Sequence, residues 1–513
     1  MPMDVHLLRE TKPILEKIYH QIIPVDQKCE ISLPDELPDI TEVVFSEAKV
    51  FLRGKEVDKD KIIIKGIVVV NILYYSDSSS NIQKFDAQIP FSIDTRCEGA
   101  DDTCKLVTSL TVQQCGAKIL SVRRLLVKAD LCALVQCFRE AVLTVSCLPD
   151  DDCNSVQQLH YKTRTVCPIT YSEKSFVVTD TFKLPGQCES ISALLLEKTN
   201  ITLDDLKIVG SKIIIKGSAF CDVLYRTEDS EHPCTVDFST EFSQILEMDR
   251  HIANAIPETV LALTGAYFHT EATLSSEERQ IYLELHIAAQ CILSDEFEVD
   301  YITDAYLPLN ELSLSKETIK MPVCDTEYSV SREAMGLIEC GDDLGKSIFA
   351  VIGKGIPRIT EAEGQIVLQV DFFVSSLHCD EHGKLASVMG KVSCKEDIEE
   401  ALRDSTFSSD LSADLYITSK GKGIEVRVPC KISLIDKNDA VIEIVNEIAE
   451  TGSKVDLSTE PSLILYRYCA GESIWSIAKQ HCSTMELIRC ANKQNESGEY
   501  FDKQVIIIPK YRA

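Results

Sequence analysis

The chain has 513 residues and a formal net charge of −29, from 81 acidic and 52 basic side chains. Such an acidic surface repels nucleic acid and anionic lipid, so we expect neither as a partner. No stretch is apolar over the ~18–20 residues that a membrane span needs, and the N-terminus lacks the pattern of a secretory signal. The sequence therefore predicts no transmembrane segment and no export.

The 21 cysteines are an odd number, so they cannot all pair within one chain. Several of them occupy apolar positions of strand-like segments, among them Cys132, Cys221, Cys291 and Cys430. A free thiol in such a position behaves as a small buried hydrophobe. We therefore expect reduced cysteines in a cytosolic protein.

Residues 4–22 have apolar side chains at roughly helical spacing, interrupted by Pro13. This pattern predicts a short helical arm, residues 1–24, ahead of the first domain.

Two stretches of the chain are nearly identical. Lys61–Gly66 recurs as Lys212–Gly217, and the same offset of 151 carries Leu33-Pro34 onto Leu184-Pro185 (212 − 61 = 184 − 33). Solenoid repeats are about 20–50 residues long, so a period of this length indicates a duplicated domain. The predicted domains are residues 25–150 and 170–300.

A third, diverged copy follows at residues 312–440. Gln365–Val370 takes the place of the lysine-flanked isoleucines, and Leu377-His378 that of Leu73-Tyr74. Met321-Pro322 stands as the expected counterpart of the Leu-Pro pair. The distance from this pair to the strand is longer, so we expect an insertion between Arg332 and Lys354.

Each copy combines β-rich runs with turn-forming residues. Hairpin turns are predicted at 77–80, 227–230 and 380–383, and short helical or mixed segments at 40–48 and 191–198. Alternating apolar positions return late in each copy, as in Leu125, Val127 and Ala129. The predicted fold is mainly β, with tandem antiparallel β-sandwich-like repeats and minor helices.

Residues 441–462 are predicted to be a linker, with a helix or strand at 440–448. The segment 463–513 then has the pattern of a strand, two helices and a strand, a βααβ unit. Ser473 is the expected cap of the first helix, and Ser483 with Glu486 has the spacing of a capping box for the second. Trp475, the one tryptophan, is predicted to be a core residue.

This C-terminal segment resembles a LysM domain, on the aromatic strand 466–468, the Gly-acid-Ser-aliphatic-Trp run and the final Ile-Pro. The resemblance implies binding of N-acetylglucosamine-containing glycans between two loops. It places the candidate binding residues, for a partner or a glycan, at Gly471, Glu472, Ser473, Ile474 and Asn492. Glu472 and Ser473 replace the family's usual aspartate and threonine.

The three upstream copies resemble SPOCS domains, the DUF3794 repeat of spore coat proteins. Three such repeats followed by a LysM domain resemble the SipL-type spore coat morphogenetic proteins. The resemblance implies a mother-cell cytosolic protein that gathers on the forespore surface. Its implied partner is the coat basement-layer ATPase, stage IV sporulation protein A, with the LysM module as a docking unit.

Neither a metal site nor a nucleotide site is expected. His378–His382 resembles a metal cluster but falls on a predicted hairpin turn, without a second ligand pair. Gly341–Ser347 is one residue short of a phosphate loop and carries two aspartates where phosphate would lie. We therefore predict no catalytic residue, no cofactor and no enzyme.

Three functions remain as hypotheses. The leading one is a non-catalytic adaptor that assembles the spore coat through protein–protein contacts. The alternative is a LysM-mediated peptidoglycan or cortex glycan-binding protein. The third, a phosphate-loop enzyme, would require nucleotide turnover that depends on Lys346.

Overall fold

The structure of the chain is a computed structural model. It describes residues 4–5, 8–77, 79–147, 156–227, 232–249, 255–270, 279–321, 328–340, 344–362, 364–403, 405–411, 415–419, 423–436, 440–455, 461–469, 471–493 and 505–511. Within these residues, no helix has the length and apolar character needed to cross a membrane. Antiparallel strands dominate, which confirms the predicted mainly-β fold.

The first repeat is built from two three-stranded sheets. A two-residue strand, β1 (Asp4–Val5), precedes it and pairs far away, with the end of the third repeat. The sheets have the orders β2-β7-β6 and β3-β4-β5. Their strands are β2 (Leu8–Ser32), β3 (Glu42–Asp58), β4 (Lys61–Ser76), β5 (Ser79–Arg96), β6 (Lys105–Ser121) and β7 (Arg124–Cys147).

The second repeat has the same plan. Its sheets have the orders β8-β13-β12 and β9-β10-β11. The strands are β8 (Gln157–Lys183), β9 (Ile191–Val209), β10 (Lys212–Thr227), β11 (Cys234–Glu247), β12 (Ile256–Thr270) and β13 (Gln280–Tyr306). The repeated sequences therefore form the central strands β4 and β10, which lie in equivalent places and which we call the signature strands.

The glycine that ends each repeated sequence has a packing role. Gly66 pairs with Phe91 across the sheet, and a Cβ on Gly66 would lie 2.5 Å from the Phe91 ring. Gly217 has the same relation to Phe242. Each glycine thus leaves room for a phenylalanine ring that enters the core between the two sheets.

The Leu-Pro pair also has a structural role. Leu33 N donates to the carbonyl of Arg123, and the Arg123 guanidinium donates to the carbonyl of Pro34 at 2.7 Å. In the second repeat, Arg279 and Pro185 repeat that contact at the same distance. The pair therefore closes the end of each sandwich onto the start of its last strand.

The third repeat keeps the plan but breaks its long strands. Its eight-stranded sheet joins the two layers through a β15–β19 contact, and a separate sheet has the order β1-β23-β14. The strands are β14 (Asn310–Met321), β15 (Ser329–Glu339), β16 (Lys346–Ile352), β17 (Ile356–Ala362), β18 (Gln365–Cys379), β19 (Leu385–Asp397), β20 (Thr406–Leu411), β21 (Tyr416–Ser419), β22 (Gly423–Asp436) and β23 (Ala440–Lys454), with a 3₁₀ turn at Glu400–Leu402.

The expected place of Met321-Pro322 is wrong. Ile338 faces Ile424 just as Ile31 faces Leu125, so β15, not the strand that ends at Met321, is the counterpart of the segment before Leu33. Met321 instead ends β14, where it pairs with Ala440 of β23. The longer distance that suggested an insertion is therefore the broken first strand itself. Pro322 lies outside the described residues.

Several predicted helices and the predicted linker are strands. Residues 8–32 form β2, which pairs with β7 along its whole length, so the helical arm is wrong. Pro13 is tolerated because β2 is an edge strand, where a missing N–H costs no ladder bond. Residues 42–48 and 191–198 belong to β3 and β9, and 440–454 form β23. In each case a neighbouring strand overrides the local pattern.

One apolar cluster, which we call the hub, joins all three repeats. The same two positions contribute from each repeat: Phe45 with Leu73, Leu196 with Leu224, and Phe349 with Leu377, each a directly paired couple beside a β-bulge. The hub comprises Val44, Phe45, Leu73, Ile82, Leu195, Leu196, Leu224, Phe349, Leu377 and Leu385. The three sandwiches therefore meet at this cluster through equivalent positions.

A second junction, the stalk, forms where the long strands run past the sandwiches. Ends of β7 and β13 pack there against β14 and β23, and Leu143, Val299 and Ile444 are among the buried side chains. The hub and the stalk together hold the three repeats as one body.

The C-terminal unit has the elements β24 (Leu463–Arg467), α1 (Ile474–Gln480), α2 (Met485–Asn492) and β25 (Val505–Pro509). The two strands pair antiparallel. Thr484, not Ser483, caps α2 by accepting from Leu487 N, because the Ser483 hydroxyl donates to the carbonyl of Pro509.

Candidate functional site

The turn before α1 carries three of the five candidate binding residues. Gly471 has φ +98°, a conformation that side-chain-bearing residues rarely adopt. The Glu472 carboxylate accepts from Tyr466 Oη at 2.9 Å and from Cys469 N at 3.0 Å. Ser473 caps α1, its hydroxyl oxygen accepting from Ser476 N at 3.1 Å. The Glu472 and Ser473 side chains order the turn and are themselves partly exposed.

The other two candidate residues lie inside the unit. Ile474 is buried in the core of the C-terminal unit. Asn492 donates to the carbonyls of Ile488 and Ile507 and accepts from Ile507 N, all within 2.8 Å. The Asn492 amide therefore joins α2 to β25. The structure brings Gly471, Glu472 and Ser473 together but does not present Ile474 or Asn492 at a surface.

The C-terminal unit docks onto the second repeat. Trp475 Nε1 donates to Asp304 at 2.8 Å, and the Lys479 ammonium contacts both Asp304 oxygens at 2.6 and 2.7 Å. Tyr306 packs edge-on against the indole, with ring centroids 4.9 Å apart, and donates to the Ser483 carbonyl. Trp475 is thus a core residue, as predicted, and Tyr306 at the end of β13 belongs to the same apolar core.

Sequence reasoning missed a second surface of the unit, which we call the outer face. The exposed side chains of Leu463, Leu465 and Val505 lie on the side of the β24–β25 pair that points away from the helices. The alternation in residues 463–467 carries this signal, since every second side chain faces solvent.

Charged side chains bridge the first two repeats beside the hub. The Glu197 carboxylate of β9 forms ion pairs with two lysines of the first repeat. Its oxygens lie 3.0 Å from Lys49 Nζ and 2.8 Å from Lys84 Nζ. Burial alone would raise the pKa of Glu197, but the two ammonium groups hold it below its usual value. The carboxylate therefore stays ionised and links β9 of the second repeat to β3 and β5 of the first.

Glu47 lies next to this bridge, fully buried. Burial, with Glu197 adding to it, raises the pKa of Glu47 to about 7, although Lys49, Lys198 and Lys84 oppose the shift. A carboxyl group in this state is protonated in mildly acidic solution and ionised in alkaline solution.

The described residues of the two motifs that resembled ligand sites belong to the sandwich and its turns. His378 is buried at the position that Tyr74 and Tyr225 hold in the other repeats. Asp380 accepts from the backbone N–H groups of His382 and Lys384 and so closes the turn. Among the described residues, no group of three or more His, Cys, Asp or Glu is arranged to hold a metal ion. Residues 341–343 of the phosphate-loop-like sequence lie outside the described residues, and Ser347 Oγ contacts Ser376 Oγ at 2.9 Å.

Comparison with known proteins identifies one domain. Neither the curated proteins nor the solved structures contain a significant match to the chain. Residues 39–120 match the family model described as "SipL, SPOCS domain". This segment covers β3 to β6 of the first repeat, including its signature strand, and indicates a sporulation-related protein. The predicted resemblance to SipL-type SPOCS proteins is thereby confirmed on the first repeat.

Proposed function

We propose that this protein is a non-catalytic adaptor of the spore coat, acting in the mother-cell cytoplasm at the forespore surface. Its proposed partners are stage IV sporulation protein A, the coat basement-layer ATPase, and other coat proteins. The C-terminal unit serves as a docking module, and no cofactor takes part.

The observation that carries the proposal is the hub, in which matching residues of three equivalent repeats meet. Because the repeats are fixed relative to one another, their outer surfaces keep constant distances. Several weak contacts made by one rigid chain reinforce one another through effective concentration. The SPOCS match on the first repeat supplies the link to sporulation.

The outer face of the C-terminal unit is the proposed docking surface for the ATPase. Leu465 is 70% exposed and Val505 is 53% exposed, on a module that is otherwise anchored to the second repeat. Exposed apolar side chains grouped on one face are typical of protein–protein contact sites.

The test is binding of the purified full-length chain to immobilised, purified ATPase. Leu465→Glu is expected to weaken binding at least tenfold, because it puts a charge into an apolar contact. Leu120→Glu, at an exposed leucine of β6, is the matched control and should bind like wild type. Absence of wild-type binding would overturn the proposal.

The same chain can be titrated with N-acetylglucosamine oligomers to test the alternative. Ile474 and Asn492 are engaged inside the C-terminal unit, which disfavours a sugar groove lined by all five candidate residues. Micromolar glycan binding that Ser473→Ala abolishes would favour the glycan-binding hypothesis over the adaptor.

A further inference from the structure

Two buried cysteines of the third repeat lie in contact. Cys394 of β19 and Cys430 of β22 have their sulfur atoms 3.9 Å apart, inside the core of the sandwich. The two strands belong to different layers of this repeat, each beside β15. A bond between these sulfurs would therefore join the two layers directly.

The other repeats show that packing does not require cysteine here. The residue that pairs with the signature-strand glycine is phenylalanine in both, and the matching position of the last strand is aliphatic. In the third repeat, valine replaces the glycine, and two cysteines fill the remaining places. The three matching sets are Gly66, Phe91 and Leu131; Gly217, Phe242 and Ile287; and Val370, Cys394 and Cys430.

We propose that Cys394 and Cys430 form a reversible disulfide when the protein meets hydrogen peroxide. The sulfurs must approach by roughly 2 Å to reach bonding distance, which side-chain rotation and small strand shifts supply. The link would close a loop across the sandwich and restrain the unfolded chain.

The environment of the two thiols sets the order of events. Cys394 is 8% exposed, whereas Cys430 is fully buried. The contact with Cys430, with the nearby Arg332 guanidinium adding to it, lowers the pKa of the Cys394 thiol. A thiolate is the nucleophile in this chemistry, so Cys394 reacts first.

The reaction balances in two steps. The Cys394 thiolate attacks one peroxide oxygen, the O–O bond breaks, and a sulfenic acid and one water result after proton transfer. The Cys430 sulfur then attacks the sulfenic sulfur, the S–O bond breaks, and a second water leaves. Two thiols are oxidised by two electrons in all, and peroxide is the oxidant.

The test treats the folded, full-length, reduced protein with hydrogen peroxide, alkylates the remaining thiols in denaturant, and identifies linked peptides by mass spectrometry. We expect a Cys394–Cys430 peptide that a thiol reductant removes, together with a higher Tm of the oxidised protein. Peroxide-treated protein in which Cys394 and Cys430 are both alkylated after unfolding, or in which Cys394 becomes sulfinic acid while Cys430 stays a thiol, would overturn the proposal.

Three variants sharpen this result. Cys394→Ser should abolish the linked peptide and leave Cys430 unoxidised, whereas Cys430→Ser should trap oxidised Cys394. Cys291→Ser is the matched control, since Cys291 is equally buried in β13 and its sulfur contacts the Thr259 hydroxyl. In the Cys291→Ser variant, the Cys394–Cys430 peptide should form as in wild type. The experiment on wild type decides the proposal even if a variant fails to fold.

Discussion

Glu47 is a buried side chain whose charge changes near neutral pH. The pKa of this carboxyl group is about 7 in the folded chain, above its ordinary value of 4.5, because burial penalises the ionised form. Between these two values the folded state binds more protons than the unfolded state. Stability from this group is therefore full below about pH 4.5 and declines as pH rises towards 7.

Glu47→Gln should remove this dependence, since glutamine keeps the shape and stays neutral. At pH 8 the variant should be more stable than wild type, by on the order of 3 kcal/mol at most. At pH 5 the two should be similar. Urea unfolding at both pH values measures this, with the exposed Glu42→Gln as control. An equal difference at both pH values would contradict the assigned pKa.

Gly66 has no side chain at a point where the Phe91 ring lies close to the backbone. Gly66→Ala places a methyl group against the Phe91 ring, so it should destabilise the chain by about 1–3 kcal/mol through overpacking. Gly116→Ala is the matched control, because its Cβ would meet nothing within 4 Å. Denaturant unfolding of both variants provides the comparison. Equal stability of the two would mean that Phe91 does not occupy this place.

Individual strands were easier to predict than their extents. The signature strands and the alternating last strands were predicted because their apolar patterns are long and regular. Strand β2 was not, and residues 1–24 were predicted to be a helical arm, because apolar spacing alone cannot show that β7 supplies a partner. Met321 was misplaced for a related reason: a broken strand and an insertion give the same spacing in one sequence.

The candidate site was predicted in part. Sequence pattern placed the turn 471–473 and the two helices, because caps and glycine turns are local signals. It did not reveal that Asn492 is engaged internally or that Asp304 holds Trp475, since these contacts join residues distant in the chain.

At the level of elements, the docking of α1 onto the end of β13 has a built-in reporter. Asp304→Ala removes the acceptor of Trp475 and the partner of Lys479, and should cost about 2 kcal/mol. Trp475 is the only tryptophan, so its fluorescence should shift to longer wavelength as the unit opens. Asp300→Ala is the control, because Asp300 also lies in β13 but its carboxylate contacts His160 of β8 and not Trp475. Unchanged emission of the Asp304 variant would rule out this docking.

Equivalent leucines of the three repeats meet in the hub, so they should contribute equally to stability. Leu73, Leu224 and Leu377 occupy matching places and are fully buried. Changing each in turn to alanine should therefore destabilise the chain by a similar amount, about 3 kcal/mol. Leu120→Ala, at the exposed leucine of β6, should have little effect. Calorimetric unfolding that responds to only one of the three hub changes would show that the repeats do not share this core.

The fixed arrangement of the repeats is the basis of the adaptor account, and Glu197→Lys addresses it while sparing each sandwich core. The new ammonium group would face Lys49 and Lys84, so the first two repeats should separate by like-charge repulsion.

The most direct measurement is the affinity of full-length chain for purified stage IV sporulation protein A, wild type against Glu197→Lys, with the exposed Glu189→Lys as control. The account predicts tight wild-type and control binding and at least a tenfold loss for Glu197→Lys, because contacts on separate repeats no longer act together. Equal affinities for all three proteins, or no binding by the wild type, would contradict it.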